Sequence, residues 1–287
     1  MMKRITLRIL FLLLLLPAFA SAGSPHVVSA CGIAVSSDAE RIDFGHVKVE
    51  DVDALVGLLD QMTCLTAVDM YESRLSKDDM DMLFNRYSQI TFGWTYKVGD
   101  HVVRTDITAF STLHGSSPDP IHTERDFQWL KFCKGLKAID IGHNAVKDIS
   151  WLKNFPELKV LILAVNRIED LTPLAYLKEL EYLELFTNRF NDLTPLKELT
   201  SLRDLNIKYN YISDISPLFE MTWLERLWIG KRMDKVPVEQ IETLHALLPN
   251  CEIDWESMPT AGTWREHPHY DTIYNMFRTQ KYVPFDK

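Results

Sequence analysis

Between residues 136 and 229 the chain places apolar side chains at the first, fourth and sixth positions of a 22-residue period, with polar or bulky residues between them. The copies begin at Leu136, Leu158, Leu180, Leu202 and Leu224, and the register never slips. Position 4 collects Ile139, Leu161, Leu183, Leu205 and Leu227; position 6 collects Ile141, Leu163, Leu185, Ile207 and Ile229. Alternation over so few residues predicts a short strand, and its return at a fixed interval predicts strands stacked side by side with these columns filling the core. Position 9 repeats Asn144, Asn166, Asn188 and Asn210, an amide able to donate and accept toward backbone groups that the turning chain leaves unpaired. Pro173, Pro195 and Pro217 each follow Ser or Thr and bar a regular helix or a central strand from the return segment, so the outer side is expected to be extended or 3₁₀-like.

The unit LxxLxLxxN resembles the leucine-rich repeat, and its 22-residue length with a "DLTPL" or "DISPL" turn is similar to the internalin type of bacterial surface proteins. The resemblance implies an α/β solenoid: a right-handed superhelix with a parallel concave sheet, a helix-containing N-terminal cap and a helical C-terminal cap. Upstream the pattern degrades without vanishing. "DFQWLKFCKG" (126–135) aligns with "DISWLKNFPE" one period later, which puts Cys133 at the core position of Phe155. "RIDF" (41–44), "LTAVDM" (65–70) and "QITFGW" (89–94) read as strands of a longer repeat on the same continuous sheet, with helices at "VDALVGLLDQM" and "KDDMDMLFNRY" between them. "TYKVGDHVVRTD" reads as a hairpin turning near Gly99, and "HGSSPDP" (114–120) as an exposed loop. Downstream, Arg232 stands where the asparagine should be, "VEQIETLHALLPN" is a capping helix, "CEIDW" (251–255) supplies a last strand, and Tyr270, Ile273, Tyr274 and Phe277 recur at helical spacing. The expected division is 1–22 export signal, 23–125 N-terminal cap, 126–233 regular repeats and 234–287 C-terminal cap and tail.

Composition adds the compartment. Lys3, Arg4 and Arg8 precede "ILFLLLLLPAFA" and the small residues Ala20, Ser21 and Ala22, the pattern of a cleavable export signal. Its apolar run falls short of the roughly 20 residues that span a bilayer, so no integral membrane span is expected. Cleavage near Ala22 removes three positive charges and takes the net charge from −9 to −12. Such acidity, with no dense Lys/Arg cluster, argues against nucleic acid as a partner. Cys31, Cys64, Cys133 and Cys251 are too few and scattered for a disulfide-built scaffold. "VSAC" (28–31) also resembles a lipobox, the competing reading being a lipoprotein anchored through Cys31, although ten residues separate that cysteine from the apolar run.

Candidate chemistry lies in two places. Positions 3, 5, 7 and 8 point outward on the concave face or sit at its edge, where Tyr182, Glu184, Phe186, Asp204, Asn206, Lys208, Tyr209, Arg226, Trp228 and Lys231 interleave aromatics with charges. That composition suits an interface with aromatic anchors and a polar rim. The expected function is therefore non-enzymatic recognition of a macromolecule, a protein in the first instance, by an exported monomer that needs no cofactor. The competing use of this face is as a seat for the chain's own tail, residues 256–287, which has apolar side chains to bury. The second place is "WREHPHYD", with Arg265, Glu266, His267, His269 and Asp271. Two imidazoles one residue apart can hold zinc, which makes a metal-dependent enzyme the rival reading, but no HExxH or third ligand follows. Secreted leucine-rich-repeat proteins of Gram-positive bacteria carry a similar Trp-Arg-Glu-x-Pro tail, a resemblance that implies no chemistry. Repeats of this length also resemble cytosolic phosphatase regulators, a rival that the export signal opposes.

Overall fold

The computed structural model describes residues 24–98, 101–113, 121–230, 236–255 and 263–285. β1 (Val27–Ala30) and β2 (Ile33–Ser36) form an antiparallel hairpin. Strand and helix then alternate through β3 (Arg41–Asp43), α1 (Val52–Leu59), β4 (Ala67–Asp69), α2 (Lys77–Arg86) and β5 (Thr91–Gly93), with the three strands parallel. A second hairpin pairs β6 (Thr95–Val98) with β7 (His101–Arg104). Seven strands follow in one parallel sheet in chain order: β8 (Ala109–Ser111), β9 (Ala138–Asp140), β10 (Val160–Ile162), β11 (Tyr182–Glu184), β12 (Asp204–Asn206), β13 (Arg226–Trp228) and β14 (Glu252–Asp254). α3 (Val238–Leu247) precedes the last strand, and α4 (Pro268–Thr279) lies in the tail.

The leucine columns set the register. Leu161 pairs with Ile139 and Leu183, and the column continues through Leu205 and Leu227 to Ile253. All of them except Ile253 are fully buried. At the strand exits the asparagine amides form a ladder. Asn188 Nδ2 donates to the carbonyls of Leu163 and Leu185 at 2.9 and 3.0 Å, and its Oδ1 accepts from the Ile168 N–H at 3.1 Å. Asn144, Asn166 and Asn210 make corresponding bonds. The residue before each asparagine, His143, Val165, Thr187 or Tyr209, has φ near +57°, a left-handed turn that no glycine marks in the sequence. On the convex side the prolines stand in 3₁₀ turns, Thr172–Tyr176, Thr194–Glu198 and Ser216–Glu220. The Asp before each turn accepts from the N–H two residues on, as Asp170 does from Thr172 at 2.8 Å.

The N-terminal strands do not continue the main sheet. Thr105 occupies the outer edge of β5: its hydroxyl donates to Phe92 O at 3.0 Å and accepts from the Trp94 N–H at 2.8 Å, and its own N–H donates to Trp94 O at 2.8 Å. Backbone groups that would have recruited a further parallel strand are thereby used, and β8 starts a new sheet. The apolar core nevertheless runs unbroken beneath both sheets. Neither β8 nor the β1–β2 hairpin is marked by the repeat pattern. The export segment, Gly99, the 114–120 loop and Arg232 lie outside the described residues.

Candidate functional site

Residues 263–285 cross the concave face of the main sheet. Trp264, Ile273, Met276, Phe277 and Phe285 pack on Ala109, Ala138, Val160, Ile162, Ala164, Tyr182, Phe186 and Trp228 as a second core, distinct from the one inside the solenoid. At one end Trp264 lies against Trp228 and Tyr182, with ring centroids 5.6 and 5.5 Å apart. At the other, the Thr108 and Ala109 N–H groups donate to Gln280 O at 3.1 and 3.2 Å, and the Tyr282 N–H donates to Thr108 Oγ1 at 2.7 Å. The amphipathic stripe of α4 explains this seat: Ile273, Met276 and Phe277 are buried against the sheet while Tyr274, one residue out of phase, is 46% exposed.

A polar layer is sealed beneath the tail. Glu184, fully buried, accepts from Tyr182 Oη at 2.5 Å, Trp264 Nε1 at 3.0 Å and Arg265 NH2 at 2.8 Å. Burial and then the nearby Glu184 carboxylate raise the Tyr182 phenol well above its ordinary range, so it stays a donor. Asp204 Oδ2 lies 2.7 Å from His269 Nδ1, and its Oδ1 lies 3.6 Å from Arg226 NH1. Arg226 also donates to Trp264 O at 3.0 Å and stacks over the Trp264 ring at 4.3 Å. Lys208 Nζ reaches Asp254 at 3.0 Å and sits 4.2 Å from the Trp228 ring centroid. Asp140 accepts from the Gly142 N–H at 3.0 Å and from Ser111 Oγ at 3.1 Å; burial pushes its carboxyl up to about 7 despite those bonds.

These contacts correct the expectation of an open binding strip. Tyr182, Glu184, Phe186, Asp204, Asn206, Lys208, Arg226 and Trp228 are all buried, Tyr209 is half-buried, and Lys231 lies outside the described residues. Alternation does turn the residues of β11–β13 out of the solenoid core, but the tail meets them. Each large apolar side chain so buried contributes about 1.5–3 kcal/mol, before the cost of ordering the tail is set against it. An external protein does not find this face vacant. The histidines of the metal reading have structural jobs: His267 Nδ1 accepts from the His269 N–H at 3.2 Å at the start of α4, and His269 holds Asp204. Among the described residues no group of three or more His, Cys, Asp or Glu is placed to hold a metal ion.

An open pocket lies on the N-terminal sheet, outside the candidate residues of the sequence. A cavity of about 280 Å³ is lined from β3 by Arg41 and Asp43, from β4 by Asp69, and from the following segments by His46, Tyr71, Glu72, Arg104 and Asp106. Arg41 pairs with Asp69 at 2.6 Å and His46 Nδ1 with Glu72 at 2.7 Å, a hydrogen bond that raises the imidazole above its ordinary value. Arg104 forks onto Asp106 at 2.9 and 3.2 Å and stacks 3.6 Å from the Tyr71 ring centroid. Tyr71 can lie so low only because residue 93 is glycine; a Cβ there would stand 2.5 Å from Tyr71 Cζ. Burial, then Asp106, push the Tyr71 phenol up to about 12. The signal for this pocket was present in "RIDF" and "LTAVDMYE": charged residues at the outward positions of strands β3 and β4.

Comparison with known proteins agrees with the repeat. The family model "Leucine Rich repeats (2 copies)" matches residues 156–198. Among solved structures the chain is similar to an internalin from Listeria monocytogenes (23% identity, 75% of this chain and 55% of that one, TM-score 0.42). It is similar to a second Listeria monocytogenes internalin (23% identity, 57% and 81%, TM-score 0.38) and to a leucine-rich-repeat protein from Leptospira interrogans (19% identity, 75% and 54%, TM-score 0.46). The chain spans about half the length of the first and third of these. No curated protein matches it. Among the described residues no helix is long and apolar enough to cross a membrane.

Proposed function

We propose that this chain, a leucine-rich-repeat solenoid of internalin type, is an exported, non-enzymatic scaffold that recognises another protein, and that its contact surface is the open N-terminal face. The observation that carries the reading is the division of the concave side: the tail occupies the repeats from β8 to β13, while the sheet β3–β4–β5 keeps an uncovered pocket of charged side chains around Tyr71. Exposed guanidinium and carboxylate groups flanking an aromatic ring suit the polar part of a protein interface. Export rests on the basic, apolar and small-residue succession of residues 1–22. The ten concave residues singled out by alternation then serve the fold: those the tail covers fix it in place, and a ligand would reach them only after the tail had left.

The test uses the processed chain as bait on a surface extract of the producing cell or its host. The variant Arg41→Glu/Glu72→Lys reverses two exposed charges of the pocket without touching either core. Loss of a captured protein by this variant, with an unchanged circular dichroism spectrum and melting temperature, supports the assignment. Capture that survives the double change and is instead abolished by altering convex residues such as Tyr176 overturns it.

A further inference from the structure

The polar layer under the tail is not evenly charged. Its carboxylates are Asp140 on β9, Glu184 on β11 and Asp204 on β12, each at most 4% exposed; its fixed cations are Arg226 from β13 and Arg265 from the tail. Lys208 is matched by Asp254, and Glu252 stands at the solvated rim with its side chain 69% exposed. His269 Nδ1 lies 2.7 Å from Asp204 Oδ2, and Tyr182 and Tyr270, their phenols raised by burial, are uncharged. His267 and His143 are both held below the ordinary imidazole value by burial and nearby arginines, and add no positive charge near neutrality. Glu184 is thus paired with Arg265, and Asp204 with Arg226 and His269, whereas Asp140 has no cationic partner among the described residues, a position that a low-dielectric layer opposes for an ionised carboxylate.

We propose that the docked tail carries one extra proton, held on Asp140, and that the tail is consequently a pH-dependent latch over the concave face. Protonated, Asp140 is neutral and needs no cation, while Glu184 stays with Arg265 and Asp204 with Arg226 and His269. The carboxyl is displaced in the required direction, from 3.8 up to about 7, chiefly by burial, and Glu184 adds to it. Because the docked state raises this value, the proton's contribution is complete below pH 4, is lost progressively as pH rises toward 7, and is absent above. The opening of the tail should accordingly become about tenfold more frequent per pH unit across that window, with the solenoid itself unaffected.

Hydrogen exchange on the intact processed chain reads this directly. Protection factors for the amides of α4, corrected for intrinsic exchange at pH 5, 6, 7 and 8, should fall about tenfold per unit from 5 to 7 relative to those of β10–β12 and then level off. Asp140→Asn, which keeps an acceptor for the Gly142 N–H but cannot ionise, should flatten the profile. A parental profile already flat between pH 5 and 7 overturns the proposal whether or not the variant folds, and so does an undiminished slope in a folded Asp140→Asn protein.

Discussion

Tyr182, Phe186 and Trp228 show how much a single outward residue leaves open. Their direction was readable from the strand period, because successive side chains alternate across a sheet. What lay opposite was not, since the residues that cover them come from positions 264 to 285 and no local pattern links the two stretches. The consequence reverses the expectation for exposed anchors. Trp228→Ala should cost about 3–5 kcal/mol, comparable with about 2–5 for Leu183→Ala in the inner column. Denaturant unfolding of both variants checks this, and a loss below about 1 kcal/mol for Trp228→Ala would put its ring in solvent. The asparagine ladder was legible in full, because a recurring amide at a recurring turn has one physical use. Asn188→Leu leaves the Leu163 and Leu185 carbonyls and the Ile168 N–H without that partner and should cost about 1–3 kcal/mol for each group left unsatisfied, visible as a lowered melting temperature.

At the scale of elements, legibility followed length and repetition. α3 and α4 announced themselves by apolar spacing, and the main sheet by five registered copies. β8 did not, being three residues with no preceding copy of the motif, and it joins the sheet because Ala109 and Ser111 meet β9 in space. The role of the tail was half visible: its apolar residues asked for a seat, and the concave aromatics offered one. Trp264 is where the two meet, bonded to Tyr182 Oη at 2.6 Å and to Glu184. Trp264→Ala removes both bonds and the stacking with Trp228, so α4 should lose hydrogen-exchange protection well before the repeats do. A dye that binds apolar surface should brighten on this variant while far-ultraviolet circular dichroism stays near the parental spectrum. Simultaneous loss of protection in α4 and β10–β12 would instead make tail and solenoid one cooperative unit.

For the whole molecule, the decisive feature is that two caps of different construction close one apolar core. The regular repeats fixed their own stacking, but the break after β5 depended on Thr105, whose hydroxyl and N–H take over a strand edge that apolar periodicity assigns to a continuing sheet. The N-terminal end carries the last prediction. β1 begins at Val27, four residues beyond the expected cleavage point, and its Val28 is buried against the cap. Cys31 and Gly32 form the tight turn of the hairpin with φ of 51° and 77°, and the Ser37 N–H donates to His26 O at 2.8 Å. Cleavage after Ala22 leaves this hairpin whole. Processing at Cys31 as a lipoprotein would discard β1, strip β2 of its four-residue pairing and uncover part of the cap beside α1. A folded cap and a lipidated Cys31 are therefore in conflict, and N-terminal sequencing with intact-mass measurement of the proposed exported form should place the first residue at Gly23 with an unmodified cysteine at 31. A chain that begins with an acylated Cys31 yet melts cooperatively would show that the hairpin is dispensable and that the chain is processed as a lipoprotein.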